Sequence, residues 1–385
     1  MFTLSRIRTI YPQPGVGTIR YPNTPALDSS FDTWPSGYAR ITDERLPGDG
    51  YNLDILKVKS RFGGLINGSG SKPTDRQFAN YQLALVRSAY PSIGVFTTGF
   101  NPVIPSDAEI ATKFAAKTNP SRADIDLPVF FAELKDVPEL IFKAGPNVFR
   151  NVAQANLAYT FGWAPLLSDL RAMLDFVSLT EKRLQELRTL KKGGLRRKRV
   201  IGTYSSVTKD NWPWDSAINM AVPGPVTVVR NCKVWAYCKW KPTSTLPSTD
   251  SELLALARRA VYGMTIDATT MWELIPFSWL VDYFYTIGSY CEATRNIVPC
   301  ALSGPVQIMK HYQYQVFAPF ADWYYANKGY SLDPFFESGE RKVRSSATPT
   351  PYAARLPFLT GRQWSIIASL AVLRSGGYNG SSRRK

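Results

Sequence analysis

The order of strand-type and helix-type segments constrains the fold most, because neither kind is continuous along the chain. Residues 1–105 are rich in Pro, Gly, Ser, Thr and aromatic residues, with short alternating stretches such as 51–58, which is typical of strands and loops. At Ser106 a capping residue followed by acidic residues and apolar positions at helical spacing predicts a helix. Since the β segments cannot each form a sheet alone, the sequence predicts an α+β protein. Its helical-bundle region and its β-sheet region are each assembled from separated segments.

This alternation divides the chain into six successive segments. They are a β-rich region at 1–105, the first part of the helical region at 106–199, a β hairpin or arm at 200–245, the second part of the helical region at 246–298, the last part of the β-rich region at 299–360, and a C-terminal helix with a basic tail at 361–385. No repeat period is apparent, which argues against solenoids and propellers.

Two apolar stretches predict long helices. From Trp163 onward, apolar residues recur at three-and-four spacing, which predicts one helix with a single apolar stripe that reaches about Leu190. The stretch 270–296 predicts a strongly apolar helix that begins near Pro276, because proline is tolerated in a first turn. Asp282 lies alone in this apolar segment, so we expect its carboxylate to be hydrogen-bonded or paired with an arginine.

The chain is strongly basic. It has 46 Lys and Arg against 30 Asp and Glu, a formal net charge of +16, which makes an acidic polymer the leading class of partner. Half of this excess lies between Lys182 and Arg199, where nine cations accompany the single Glu186. The nine are Lys182, Arg183, Arg188, Lys191, Lys192, Arg196, Arg197, Lys198 and Arg199.

The sequence leaves two interpretations of this cationic run open. A solvated helix end explains two or three of the cations, because positive side chains favour the C-terminal end of the helix dipole. It does not explain the Arg-Arg-Lys-Arg run that follows Gly193 and Gly194, since like charges so close together repel unless an anion compensates them. The favoured hypothesis is therefore nucleic-acid contact, to which Arg258 and Arg259 of a later helix would contribute.

The sequence gives little basis for catalysis. His311 is the one histidine, which excludes multi-histidine metal sites and leaves one possible imidazole base. The four cysteines form no C-x-x-C pair, so we interpret them as small buried hydrophobes rather than as a zinc site or a disulfide framework. Phosphate-binding, dinucleotide, esterase and metalloprotease motifs are absent from the sequence. We therefore expect a non-enzymatic protein without a metal or cofactor.

The sequence also bears on location. The longest apolar run, 364–373, is about half of the roughly 20 residues that a bilayer-spanning helix needs, so we expect no stable membrane insertion. The first fifteen residues contain no apolar signal segment, which predicts that the chain is made in the cytoplasm.

Two motifs combine Trp and Pro at fixed offsets, the first of them together with Gly, and chance rarely matches such patterns. The first consists of Phe161, Gly162, Trp163, Pro165, Leu166 and Asp169. The second consists of Trp272, Glu273, Pro276, Phe277, Ser278 and Asp282. Both resemble the most recognisable stretches of the maturation proteins, or A proteins, of single-stranded RNA bacteriophages. The resemblance covers about Leu127 to Ala293 and does not extend to the first hundred residues.

The resemblance implies an elongated, non-enzymatic virion protein, made in the host bacterium and present as a single copy in the coat protein shell. In this family the helical region holds the genomic RNA near a 3′-region hairpin, and the β region attaches the particle to a bacterial pilus for RNA entry. The motif residues would then be structural. The alternative is a cytoplasmic RNA-binding or RNA-packaging factor without a receptor role, which would explain the charge but not the large β region.

Overall fold

The computed structural model describes residues 5–10, 16–20, 29–32, 37–45, 51–61, 66–67, 77–79, 96–97, 99–129, 148–214, 222–263, 265–275, 278–318, 335–354 and 361–375. The chain divides into two compact units. Unit 1 comprises 1–104, 200–235 and 307–346, and unit 2 comprises 105–199, 236–306 and 347–385. Each unit is built from segments that are far apart in the sequence.

Two sheets account for the described strands. The larger is an eight-stranded antiparallel sheet in the order β1-β4-β5-β12-β11-β9-β10, with β8 paired to β9. The smaller has four strands in the order β3-β2-β7-β6. The strands are β1 Ser5–Ile10, β2 Val16–Arg20, β3 Ser29–Asp32, β4 Gly37–Arg45, β5 Tyr51–Arg61, β6 Ile66–Asn67, β7 Gln77–Ala79, β8 Leu195–Trp214, β9 Val222–Pro242, β10 Cys300–Leu302, β11 Val306–Ala318 and β12 Phe335–Ala347. Together with the helices, they confirm the predicted α+β class.

Strand β9 shows why these segments form a sheet. Every second residue from Val226 to Trp240 is buried, and most of the residues between them are half-buried or exposed, which is the two-residue period of a strand with one covered face. Cys232 and Cys238 lie on the buried face, in agreement with their interpretation as buried hydrophobes. Burial raises the pKa of their thiols to about 12 and about 11, so both remain protonated at neutral pH. They act as small hydrophobes.

The helices lie mainly in unit 2. They are α1 Asp107–Thr118, α2 Val148–Leu157, α3 Ala164–Leu174, α4 Phe176–Gly193, α5 Asp250–Tyr262, α6 Ala268–Leu274, α7 Ser278–Val281, α8 Ile287–Thr294 and α9 Gly361–Ser375. A π-helical turn, Ala158–Trp163, joins α2 to α3. The predicted cap of α1 is confirmed, because the Ser106 side chain accepts a hydrogen bond from the backbone N–H of Glu109.

The prediction of one helix from Trp163 to Leu190 is wrong. The helix is interrupted at Asp175, whose φ of −88° and ψ of 7° lie outside the helical range, and α4 starts afresh after it. The single apolar stripe is wrong as well. Leu187 and Leu190 are fully buried, whereas Leu174 and Val177 beside the interruption are 86% and 69% exposed. The interruption at Asp175 lets α3 and α4 bury different helix faces.

The single long apolar helix predicted from Pro276 is also wrong, because two short helices, α7 and α8, take its place, and a separate helix, α6, precedes the proline. Pro276 lacks the N–H that a helix interior needs and disfavours helical angles in the residue before it. Ile275 accordingly adopts an extended conformation, with ψ of 122°, and α6 ends at Leu274. The proline thus separates two helices instead of opening one long helix.

Gly339 of β12 allows a close approach of the Tyr314 side chain in unit 1. A Cβ at this position would lie 2.1 Å from Cε1 of Tyr314 on β11. The Tyr314 ring cannot move aside easily, because its hydroxyl donates to Glu337 at 2.7 Å and its ring meets Phe96 edge-on at 4.7 Å.

We therefore expect Gly339→Ala to lower the free energy of unfolding by about 1–3 kcal/mol, as overpacking of a tight core does. Urea unfolding of the purified chain would measure the loss. The matched control is Ser338→Ala on the same strand, for which a change below about 0.5 kcal/mol is expected. Equal midpoints for Gly339→Ala and the unchanged protein would contradict this account.

Candidate nucleic-acid interface

The second motif forms a hydrogen-bonded unit around Asp282. One carboxylate oxygen accepts from the indole N–H of Trp272 at 3.0 Å, and the other accepts from the backbone N–H of Gly288 at 2.8 Å. Asp282 is therefore hydrogen-bonded, as expected for a carboxylate in an apolar segment. Gly288 belongs to the same unit, since a Cβ there would lie 2.4 Å from the carboxylate. The sequence motif did not include this glycine.

The other motif residues are placed as follows. Ser278 is buried at the start of α7, and Glu273 is exposed on α6. Pro276 and Phe277 lie outside the described residues. Only the backbone is described for Phe161, Gly162, Trp163, Pro165 and Leu166, which lie in the π turn and at the start of α3. Asp169 of α3 is half-buried, and burial, followed by the charge of Asp126, raises its pKa.

Helices α4 and α5 pack side by side in opposite directions. The ring of Phe176 at the start of α4 stacks on Tyr262 at the end of α5, with centroids 4.2 Å apart. Towards the other end, Arg188 donates to Asp250 at 2.8 Å, and Lys191 donates to two backbone carbonyls of the segment before α5. These contacts set the two helices in register.

This arrangement spreads the predicted cations along the helix pair. Because the two helices run in opposite directions, Arg258 and Arg259 near the end of α5 lie beside the first turns of α4. Their position along the helix axis is close to that of Lys182. Lys192 lies ten residues after Lys182, which is about 15 Å along the helix axis. The predicted cations of the two helices are therefore spread along the helix pair instead of being gathered at one helix end.

The Arg196–Arg199 run lies on strand β8, although the sequence analysis included it in the helical region 106–199. The helix stops because Gly194 adopts a φ of +102°, and its N–H caps the carbonyl of Leu190. A Cβ on Gly194 would lie 2.6 Å from the carbonyl oxygen of Trp240 on β9. Glycine therefore lets β8 begin against β9 directly after α4, which brings the run beside the end of that helix.

Alternation along β8 sends the run to both faces of the sheet. Arg197 faces the helices, where it bonds Glu186 of α4 at 2.5 Å. Arg199 faces the same way, since its charge acts on Lys117 of α1. Arg196 and Lys198 point to the opposite face, and both are exposed.

Arg183 differs from the other predicted contacts because its guanidinium is internal. Only 9% of its side chain is exposed. It donates to the carbonyls of Pro120 and Arg122 at 2.6 and 2.9 Å, and it pairs with Asp124 at 3.0 Å. We therefore remove Arg183 from the candidate interface and assign it a structural role in unit 2.

The remaining cations fall into two groups. Arg188, Lys191 and Arg197 are engaged by protein oxygens, as described above. Among the described residues, the other seven are exposed and have neither an ion pair nor a side-chain hydrogen bond. These seven are Lys182, Lys192, Arg196, Lys198, Arg199, Arg258 and Arg259. We call them the cationic band.

The sequence missed further cations that the fold brings to the same unit. Lys113 and Lys117 project from α1, and Arg122 lies in the loop after it. Lys239 and Lys241 of β9 lie next to Gly194. The four-residue spacing of Lys113 and Lys117 was visible in the sequence, but the position of α1 in the same unit as β8 residues up to Arg199 depends on long-range packing.

The neighbouring residues Lys182 and Arg183 provide a sharp test of this assignment. We expect Lys182→Gln to leave stability within about 0.5 kcal/mol, because the side chain is exposed, while weakening nucleic-acid binding. Arg183→Gln should cost about 3 kcal/mol, the scale of breaking a buried ion pair. Thermal unfolding and RNA binding below the melting temperature would separate the two effects. If Lys182→Gln lowered stability and Arg183→Gln did not, the assignment of Lys182 to the interface and of Arg183 to a structural role would be wrong.

The comparisons with known proteins agree with the motifs. Residues 143–317 match the family model described as phage maturation protein, and this range contains both motifs. The match confirms the resemblance to the maturation proteins of RNA phages. No curated protein matches the chain. Among the described residues, none of the helices is long and apolar enough to cross a membrane, and there is no cluster of His, Cys, Asp and Glu suited to a metal ion.

Proposed function

We propose that this chain is a virion component that binds genomic RNA through unit 2, is incorporated into the coat protein shell and attaches the particle to a bacterial pilus. The observation that carries the RNA-binding role is the cationic band. Its seven exposed cations lie on two adjoining helices and the strand that follows the first of them. The family match supports the roles in the particle.

The band favours a sequence-independent contact with the phosphate backbone. Lysine and arginine on an exposed surface neutralise phosphates and release counterions, which gives affinity without reading bases. Selectivity for one RNA region would come from hairpin shape or from unstacked loop bases, because the deep groove of an A-form helix is hard to read.

Binding of the purified chain to a 3′ fragment of the genomic RNA, measured across a salt series, tests this role. Replacing Lys192, Arg196 and Lys198 with Gln should reduce the slope of log affinity against log salt by about 2–3, at roughly 0.7–0.9 per phosphate contact. The matched control removes three exposed cations of unit 1, Arg6, Lys209 and Lys233, and should leave the slope unchanged. Lys209 lies on the same strand as the Arg196–Arg199 run. If both triple variants keep the original slope, the RNA-binding role is wrong.

Pilus attachment separates the proposed virion role from a cytoplasmic RNA-binding factor. We expect particles that carry this chain to decorate purified pili in electron micrographs, and particles assembled without it to leave the pili bare. If particles with and without this chain both fail to attach to the pili of all candidate hosts, the result would favour the cytoplasmic RNA-binding factor.

We also propose a non-enzymatic role. His311, the one possible imidazole base, lies on β11 with its Nε2 3.6 Å from a carboxylate oxygen of Glu340. Burial lowers the pKa of His311. The carboxylates of Asp124 and Asp126, which are close in the sequence, form ion pairs with Arg183 and Arg295, respectively. Each carboxylate therefore has a structural partner.

A further inference from the structure

Strand β9 presents an aromatic ring and two lysines on its outward face in unit 2. Every second residue from Ala236 to Trp240 is buried, so the residues between them point to the other side of the sheet. Tyr237 and Lys239 are half-buried on that side, and Lys241 is exposed. A tyrosine is common at such a position, because aromatic rings suit a pleated surface and lysine stems pack against them. This accounts for the ring but not for the charge around it.

Strand β8 brings two further cations to the same face. A Cβ on Gly194 would lie 2.7 Å from Cε of Lys239 and 3.4 Å from Cγ of Lys241, so β8 begins beside these two lysines. Because the sheet is antiparallel, β8 then follows β9 back towards the tyrosine. Arg196 and Lys198 point outward from this part of β8 and are exposed. Side chains on one face of paired strands are close neighbours, so both cations lie beside the ring and the lysines.

This face carries positive charge without an acidic residue from its own strands. The segments 195–199, 236–242 and 300–302 form the adjoining parts of β8, β9 and β10, and they contain neither Asp nor Glu. Within the part of the chain that the structure describes, the four cations of the face have no ion pair and no side-chain hydrogen bond. These four are Arg196, Lys198, Lys239 and Lys241. Like charges so placed repel one another, so the face is suited to a polyanion.

We propose that Tyr237 and these four cations, which we call the Tyr237 face, bind an unpaired segment of RNA. One base stacks on the tyrosine ring, and the cations bind the phosphates on either side of it. Proteins bind single strands through aromatic rings among cations, because every base has a face that can stack. The inference rests on the proposed RNA-binding function and deepens it, since it adds a base contact to cations that bind phosphates.

The ring decides between classes of polyanion. In a base-paired helix the faces of each base are covered by its neighbours, so a duplex would contact the cations but not the ring. An acidic protein surface would likewise use the charges and gain nothing from stacking. Unpaired RNA uses both features of the Tyr237 face, which is why it is the partner that we infer.

Oligonucleotide binding by the full chain tests the base contact. The probes are a short oligouridylate and a blunt-ended RNA duplex of equal charge, each measured across a salt series. Tyr237→Leu should weaken oligouridylate binding about tenfold, the scale of losing one stacked base, and should leave the salt slope and the affinity for the duplex unchanged. Lys239→Gln with Lys241→Gln should instead lower the slope for oligouridylate by about 1.4, at roughly 0.7 per phosphate contact on a single strand.

Two variants serve as controls. Tyr237→Phe keeps the ring and should bind oligouridylate as the unchanged chain does. Phe317→Leu removes a ring that is 49% exposed on β11 of unit 1 and should have no effect on binding. A further measurement needs no variant: irradiation of the unchanged chain with oligouridylate that contains 4-thiouridine should crosslink the segment 236–242, identified by mass spectrometry.

Several results would contradict the inference. They are equal binding of oligouridylate by Tyr237→Leu and the unchanged chain, an equal loss of affinity for the duplex, an equal loss in Tyr237→Phe, or absence of the crosslink. Displacement of oligouridylate by polyglutamate of equal charge would also contradict it, because the face would then bind acidic chains in general. In each case the proposed function stands if the Lys192, Arg196 and Lys198 variant still lowers the salt slope for genomic RNA, and it fails as well if that slope is unchanged.

Discussion

The surface of unit 2 depends on the interactions of one buried guanidinium group, that of Arg183. Its guanidinium bonds two carbonyls and Asp124 in the loop after α1, and it also lies 3.4 Å from Glu186, which in turn bonds Arg197 of β8. A buried charge without such partners would cost several kcal/mol, so these oxygens are necessary for Arg183 to lie there. One internal cation thereby joins α1, α4 and β8, and it fixes the backbone from which the exposed cations project.

The positive charges of this region divide into internal and external sets with different effects. Arg183 and Arg295 are nearly buried and satisfied by carboxylates, so they contribute to the folded structure. The cationic band has no such partners among the described residues, and its mutual repulsion opposes folding of the free protein. A polyanion removes that repulsion when it binds. The same charges can therefore destabilise the free chain slightly and stabilise its complex.

Local patterns in the sequence predicted some elements correctly. The capping signal at Ser106 and the alternation along β9 each concern neighbouring residues, and the structure confirms both. The helix break before Pro276 also follows from the sequence, because a proline inside an apolar run disfavours helix in the residue before it. The predicted helix start near Pro276 agrees with the start of α7 at Ser278, but the predicted length does not. The break at Asp175 has no comparable signal, since the apolar spacing continues across it.

The candidate site was predictable only in part. Arg183 lies four and seven residues before the buried Leu187 and Leu190, so helical spacing already placed it on the covered face of α4. Lys117 and Arg122 were missed, because more than seventy residues separate them from Arg199 and only the fold places them in the same compact unit. Gly288 was missed for the same reason: its role depends on the carboxylate of Asp282 folding back onto its N–H.

Crosslinking of RNA to protein inside intact particles, with the crosslinked peptides identified by mass spectrometry, tests the central claim most directly. The account predicts crosslinks in the segments 113–122, 182–199 and 258–259 of unit 2, and none on strands β1, β4 and β5 of unit 1. Crosslinks confined to those strands, with α4 and the start of β8 unmodified, would contradict it.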